Sequence, residues 1–308
     1  MERSQQKTLA QRIEYFNWLY DEGNGILSTI DEFREFKGRG MSKSSLDYVH
    51  RSMDHYFGPP IEQTPAMQVG SAFHTYVLEP EKFDKEYALI EQFDRRTKDG
   101  KEGYAKAVKA VGKRTALKPV DYYMIKGMGK AVKNHPRANE LLSTGFAEET
   151  LIWNDKNTGI LMKGRTDWRN EKERCIIDLK SCKEADYASV KKDIFADKTR
   201  YYVQAAIYVD AINTITNSND WKFKFIFVEK SNPYGVCVYE ADEQTIECGR
   251  RAYAKDLKKL IDWYENAYNA HMNHGSDFYY SGYTEEDVVI SPPAWLLYEL
   301  GIKGSNAN

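Results

Sequence analysis

The sequence predicts an α/β (α+β) fold in which a β-meander is flanked by helices. Three observations predict it. Helical and strand periodicities alternate along the chain. Three strand-like segments, residues 148–154, 160–168 and 174–181, follow one another across turn-forming stretches at 155–159 and 169–173. The 308 residues, 42% apolar and 29% charged, can bury a core about twice that of a ~150-residue domain. Such a composition excludes a disordered or fibrous chain.

Taken in order, residues 1–20 read as an amphipathic helix within a helical extension covering 1–40. Ser42 caps the next helix. A third helix spans 68–78 and stops before Glu79-Pro80, because the residue preceding proline is pushed out of the α region. The stretch 93–104, FDRRTKDGKEGY, is charged, glycine-containing and unperiodic, and reads as a loop. A helix at 121–142 leads into the meander. Beyond it come a helix at 200–213, an alternating strand at 221–228, a turn at 231–235, a strand to Tyr239 and a long helix at 244–269. Residues 41–273 form one domain, and the loop-rich tail 274–308 is a candidate for oligomer contacts. Neither a repeat nor a low-complexity linker interrupts the chain.

Cys175, Cys182, Cys237 and Cys248 show no C-x-x-C spacing, so neither a zinc knuckle nor a disulfide framework is expected; they read as reduced core thiols. No apolar run reaches the ~18 residues a membrane span needs, and the polar N-terminus lacks a signal-peptide pattern. A cytoplasmic protein without a membrane partner is expected.

The net charge of -2 argues on its face against a polyanion partner. Its distribution argues the other way. Between Arg95 and Arg137 lie thirteen Lys or Arg against three acids, a +10 segment beside a remainder of -12. Lys126, Lys130, Lys133 and Arg137 fall on one helix face, and Arg95, Arg96, Lys98 and Lys101 crowd the preceding loop. All eight are candidate phosphate contacts for DNA.

The chemistry concentrates in KGRTDWRNEKERCIIDLKS. Asp167 ends one strand, and Asp178-Leu179-Lys180 lies on the next across a short turn. Antiparallel pairing brings the two carboxylates together, and Asp178 and Lys180, two residues apart, share a face. Adjacent carboxylates repel unless a cation sits between them. A hard divalent ion such as Mg²⁺ suits them, with Lys180 beside it to orient a water for attack on a phosphodiester. The apolar run Cys175-Ile-Ile177 with Leu179 marks this strand as central, so its charges are partly desolvated.

Five motifs in this order resemble the PD-(D/E)XK nucleases, and among them the RecE-like (exonuclease VIII-like) phage recombination exonucleases. They are Gly70-Ser-Ala-Phe-His74, Glu148 in AEETLIW, Asp167 in KGRTDW, Asp178-Leu-Lys180, and Gln204-Ala-Ala-Ile-Tyr208. The likeness runs from about residue 41 to 230, and Thr166 stands where the superfamily name places proline. It implies a restriction-endonuclease-like core with a central mixed sheet. It also implies metal ligation by His74, Asp167, Asp178 and the carbonyl of Leu179. Lys180, Asp167, Asp178, Glu148, Gln204 and Tyr208 would then be catalytic; Glu149 competes with Glu148 for its place. Histidine ligation leaves Mn²⁺ open as well as Mg²⁺.

The activity so implied is 5′ to 3′ exonucleolysis of linear double-stranded DNA ends, leaving 3′ overhangs for a RecT-like single-strand annealing protein. The enzyme would be a toroidal trimer or tetramer, encoded by a phage or prophage and acting in the bacterial cytoplasm. The chain contains no Walker A sequence, in keeping with ATP independence. Rival readings are a CRISPR-associated iron–sulfur nuclease, a structure-specific endonuclease and a non-catalytic DNA-binding scaffold. The cysteine spacing disfavours the first of these.

Overall fold

The computed structural model describes residues 25–27, 40–59, 62–94 and 96–274, with the single positions 290, 292 and 299. The expected helix at 1–20, the rest of the extension apart from 25–27, and nearly all of the tail lie outside the described residues.

The first elements are β1 (Gly25–Leu27), α1 (Lys43–Arg51), α2 (Met53–Phe57), α3 (Pro65–Leu78) and α4 (Pro80–Glu86). Ser42 caps α1 as expected, its side chain accepting from the Ser45 N–H at 3.1 Å. A small lobe follows: β2 (Tyr87–Leu89), α5 (Lys98–Val111) and β3 (Thr115–Leu117), the two strands parallel. The stretch read as a loop is therefore largely helix. Thr97 caps α5 by accepting from the Gly100 N–H at 3.0 Å, and this cap outweighs the glycines and charges that argued for a loop.

The helix expected at 121–142 is two helices, α6 (Pro119–Asn134) and α7 (Pro136–Leu141). Proline forbids the preceding residue helical geometry, and His135 accordingly lies at φ -79°, ψ 115°. Then come β4 (Phe146–Ala147), β5 (Thr150–Asn154), β6 (Leu161–Arg165), β7 (Trp168–Asn170) and β8 (Cys175–Cys182). The strand expected at 160–168 is broken at Thr166-Asp167, so β6 pairs with β5 in a three-stranded sheet ordered β1-β5-β6, while β7 joins the main sheet. The chain closes with α8 (Tyr187–Phe195), α9 (Tyr201–Ile215), β9 (Lys222–Glu229), β10 (Val236–Ala241) and α10 (Glu243–His274).

The main sheet is mixed, ordered β10-β9-β8-β7-β4. Strands β8 and β9 are parallel, which requires the crossover through α8 and α9. Alternation along β8 and β9 builds two cores. Ile176, Phe223, Phe225 and Phe227 pack with α1, α9 and α10 on one face; Cys175, Ile177, Leu179, Ile226 and Val228 pack with α3, α6 and α7 on the other. Cys175 and Cys182 are buried, but Cys248 is exposed on α10, unlike the core thiol expected. No described helix is long and apolar enough to cross a membrane.

Candidate metal centre

The break between β6 and β7 makes the site. In the antiparallel register of β7 and β8, Trp168 faces Ile177 and Asn170 faces Cys175, so one step back along β7 brings Asp167 beside Asp178. The Thr166 N–H donates to the Glu149 carbonyl at 2.9 Å and its hydroxyl to the same oxygen at 3.2 Å. The Glu148 N–H donates to the Asp167 carbonyl at 3.0 Å. These bonds lace residues 148–149 to 166–167. Asp167 Oδ2 accepts from the Leu179 N–H at 2.7 Å and lies 3.4 Å from Nδ1 of His74, which α3 brings in from the opposite side. His74, Glu148 and Asp167 each offer a ligand atom within 4.8 Å of the others.

Glu148 reaches this cluster from a left-handed backbone, φ +54°, a region costly for a residue with a side chain. Glu149 faces away and is buried against Arg169, with contacts of 2.6 and 3.2 Å. Of the two rivals, Glu148 is the one brought to the cluster.

Asp178 stands beside the trio. Its Oδ1 accepts from Gln204 Nε2 at 2.6 Å, and Lys180 Nζ lies 2.6 Å from Oδ2 and 4.8 Å from the centre of the Tyr201 ring. Oδ2 is buried, and the Lys180 ammonium is its partner. Leu179 contributes its side chain to the core and its N–H to Asp167. Tyr208 is buried, and its hydroxyl donates to the carbonyl of Arg165, two residues before Asp167, at 3.0 Å.

Charge in the cluster is out of balance. Burial pushes the Glu148 carboxyl up, and the neighbouring Asp167 adds to it, against the pull of Arg165, reaching about 7. Burial also raises Asp178, more than the Lys180 ammonium lowers it. Asp167 lies below the ordinary range because His74 and Lys180 outweigh its burial. Burial would lower His74 and Lys180, but the surrounding carboxylates hold both above their usual values. Three carboxylates thus retain protons or draw on neighbouring cations for want of positive charge. Carboxylate oxygens with one imidazole suit a divalent ion of the Mg²⁺ or Mn²⁺ type.

The candidate DNA contacts lie elsewhere. Arg95 lies outside the described residues. Arg96 is exposed and pairs with Asp94 at 2.9 Å. Lys98 and Lys101 are exposed on the first turns of α5; Lys126, Lys130 and Lys133 are exposed on α6, with Lys126 4.6 Å from the centre of the Tyr122 ring. Arg137 does not continue their face. The break at Pro136 puts it on α7, where it holds Glu173 at 2.6 and 2.9 Å and Glu140 at 2.7 Å. Two residues at the site escaped sequence reasoning: Tyr201, beneath Lys180, and Arg165, whose Nε lies 2.8 Å from the Glu148 carboxylate. The signal for Arg165 was its place two residues before Asp167; Tyr201 had no sequence signal of its own.

None of the curated proteins matches the sequence. Among solved structures, an Eubacterium rectale protein provisionally named an exonuclease superimposes with a TM-score of 0.55 at 13% identity, covering 90% of this chain and 100% of its own. That likeness concerns the fold. A second structure, of SSO0001, covers 63% of this chain and 86% of its own at 17% identity, but its TM-score of 0.27 carries no argument. The family model described as "PDDEXK-like domain of unknown function (DUF3799)" matches residues 33–278. The chain therefore belongs to this family and carries a PDDEXK-like nuclease domain.

Proposed function

We propose that the protein is a metal-dependent exonuclease that hydrolyses phosphodiester bonds at the ends of linear double-stranded DNA. The observation that carries this reading is one continuous cluster in which Lys180, Asp178 and Gln204 touch, beside His74, Asp167 and Glu148. A binding module has no use for a buried ammonium held against paired carboxylates, because such groups are costly to bury.

His74, Asp167 and Asp178 would hold the ion, with Glu148 at its border; bound there, it would polarise the phosphodiester and acidify an attacking water. Lys180 stays protonated among the carboxylates, so Nζ donates to the attacking water or to a phosphate oxygen. Gln204 fixes Asp178 through Oδ1, and Lys180 holds Oδ2. The left-handed turn at Glu148 holds a third carboxylate at the same point without a change of shape on binding.

Attack from the 5′ end, ATP independence, a toroidal oligomer, a RecT-like annealing partner and a phage or prophage origin are carried by the motif resemblance. The exposed lysines of α5 and α6 are the proposed duplex contacts. The test uses linear duplex labelled at the 5′ or the 3′ end of one strand, in Mg²⁺ without ATP. Early loss of 5′ label as mononucleotide, with 3′-labelled strands shortening progressively, is expected. Release of 3′ label first would contradict the polarity, and internal fragments would favour an endonuclease.

A further inference from the structure

Arg165 borders the metal centre and lies inside the KGRTDW motif, yet none of the roles drawn from that motif falls to it. It ends β6, where the chain breaks toward Asp167, and its side chain is 38% exposed. Its Nε donates to the Glu148 carbonyl at 3.1 Å and lies 2.8 Å from Oε2 of the same residue. Among the described residues, no hydrogen bond engages either Nη. The backbone beneath it is fixed from the other side. Tyr208 OH donates to the Arg165 carbonyl, and the Tyr208 ring fills the space where a side chain at Gly164 would be.

A guanidinium held by one nitrogen, with its outer fork turned to no protein acceptor, beside a carboxylate of the metal cluster, is arranged for a planar oxyanion partner. We infer that Arg165 contacts a phosphate of the substrate strand next to the metal centre, adding a catalytic residue to the site; this rests on the nuclease reading. Its Nε keeps Glu148 in place while the Nη pair meets the phosphate oxygens. Because Tyr208 and Gly164 fix the strand before substrate arrives, the fork needs little reorganisation on binding. Tyr208 then serves as a positioning residue that acts through Arg165.

The test combines two measurements on the full chain. Binding of a fluorescent hairpin duplex with one open end is followed by anisotropy across a salt series, with Ca²⁺ in place of Mg²⁺; Mn²⁺ binding is followed by calorimetry without DNA. Arg165→Met is expected to weaken duplex binding about tenfold and to reduce the slope of log affinity against log salt by ~0.9, the loss of one phosphate contact. Its Mn²⁺ affinity should stay within about threefold of wild type. Arg165→Lys should keep the slope but recover only part of the affinity, since an ammonium is a point charge without the fork. If Arg165→Met folds, keeps the wild-type slope and loses only Mn²⁺ affinity, the residue merely positions Glu148 and the inference is overturned. If Arg165→Met does not fold, a wild-type slope and affinity in Arg165→Gln overturn it. If the wild type itself binds no duplex, the nuclease reading fails and takes this inference with it.

Discussion

Glu148 and Glu149 are neighbours with the same side chain and opposite situations, and mutation separates them. Glu148→Gln removes a carboxylate from the His74–Asp167 cluster and should weaken Mn²⁺ binding at least tenfold without lowering the melting temperature of the metal-free protein at pH 8. Glu149→Gln leaves Arg169 as a buried, half-paired charge and should cost about 3–5 kcal/mol of stability, read in a denaturant melt, with Mn²⁺ affinity unchanged. The pH dependence follows from the same residue. The folded cation-free protein raises Glu148 to about 7, so this carboxyl favours the folded state below its ordinary value and loses that contribution as pH rises through 7. The melting temperature of the metal-free protein should therefore fall between pH 5 and 8, and less steeply in Glu148→Gln. Mn²⁺ affinity should rise over the same interval, because the ion must displace the proton. Sequence spacing alone placed Asp178 and Lys180 on one face, since strand alternation is independent of context. The choice between Glu148 and Glu149 was not legible, because it depends on a left-handed turn that nothing local in the sequence marks.

Among the elements, helix and strand identities followed from periodicity, while the failures came at breaks. The helix running through His135-Pro136 was read as continuous because its basic spacing matched a helical face. Proline overrode that pattern and sent Arg137 to Glu173. Lys130→Ala and Lys133→Ala should accordingly lower the salt dependence of duplex binding, each by ~0.9 in slope, whereas Arg137→Ala should leave it unchanged and cost stability instead. The break at Thr166-Asp167 was equally hidden. It rests on bonds to Glu149 and Asp167 carbonyls that only the folded chain brings together. Its support is sharply defined at Gly164, where a β-carbon would overlap the Tyr208 ring. Gly164→Ala should displace that ring, release the Arg165 carbonyl and reduce DNA cleavage more than tenfold, while Gly112→Ala, with open space at the same atom but a left-handed backbone, should cost stability alone.

For the whole molecule, a net charge of -2 conceals a basic lobe on an acidic body. The basic residues lie on α5, beside the parallel pair β2 and β3, and on α6, which packs against α3 in the main core; Lys98, Lys101, Lys126, Lys130 and Lys133 are exposed, whereas Asp178 is buried. The charge segregation was legible as arithmetic before any element was placed. Substituting Asp178→Ala should then abolish hydrolysis while leaving duplex affinity within about threefold, because the residue contributes nothing to the basic lobe. The central claim, metal-dependent cleavage of DNA ends at this cluster, is tested most directly by incubating wild type and Asp178→Ala with linear and with covalently closed circular duplex, each in Mg²⁺ and in EDTA. Loss of linear DNA alone, by wild type alone and in Mg²⁺ alone, is predicted; turnover that persists in EDTA or in a folded Asp178→Ala protein, or no turnover by wild type under any condition, would contradict the account.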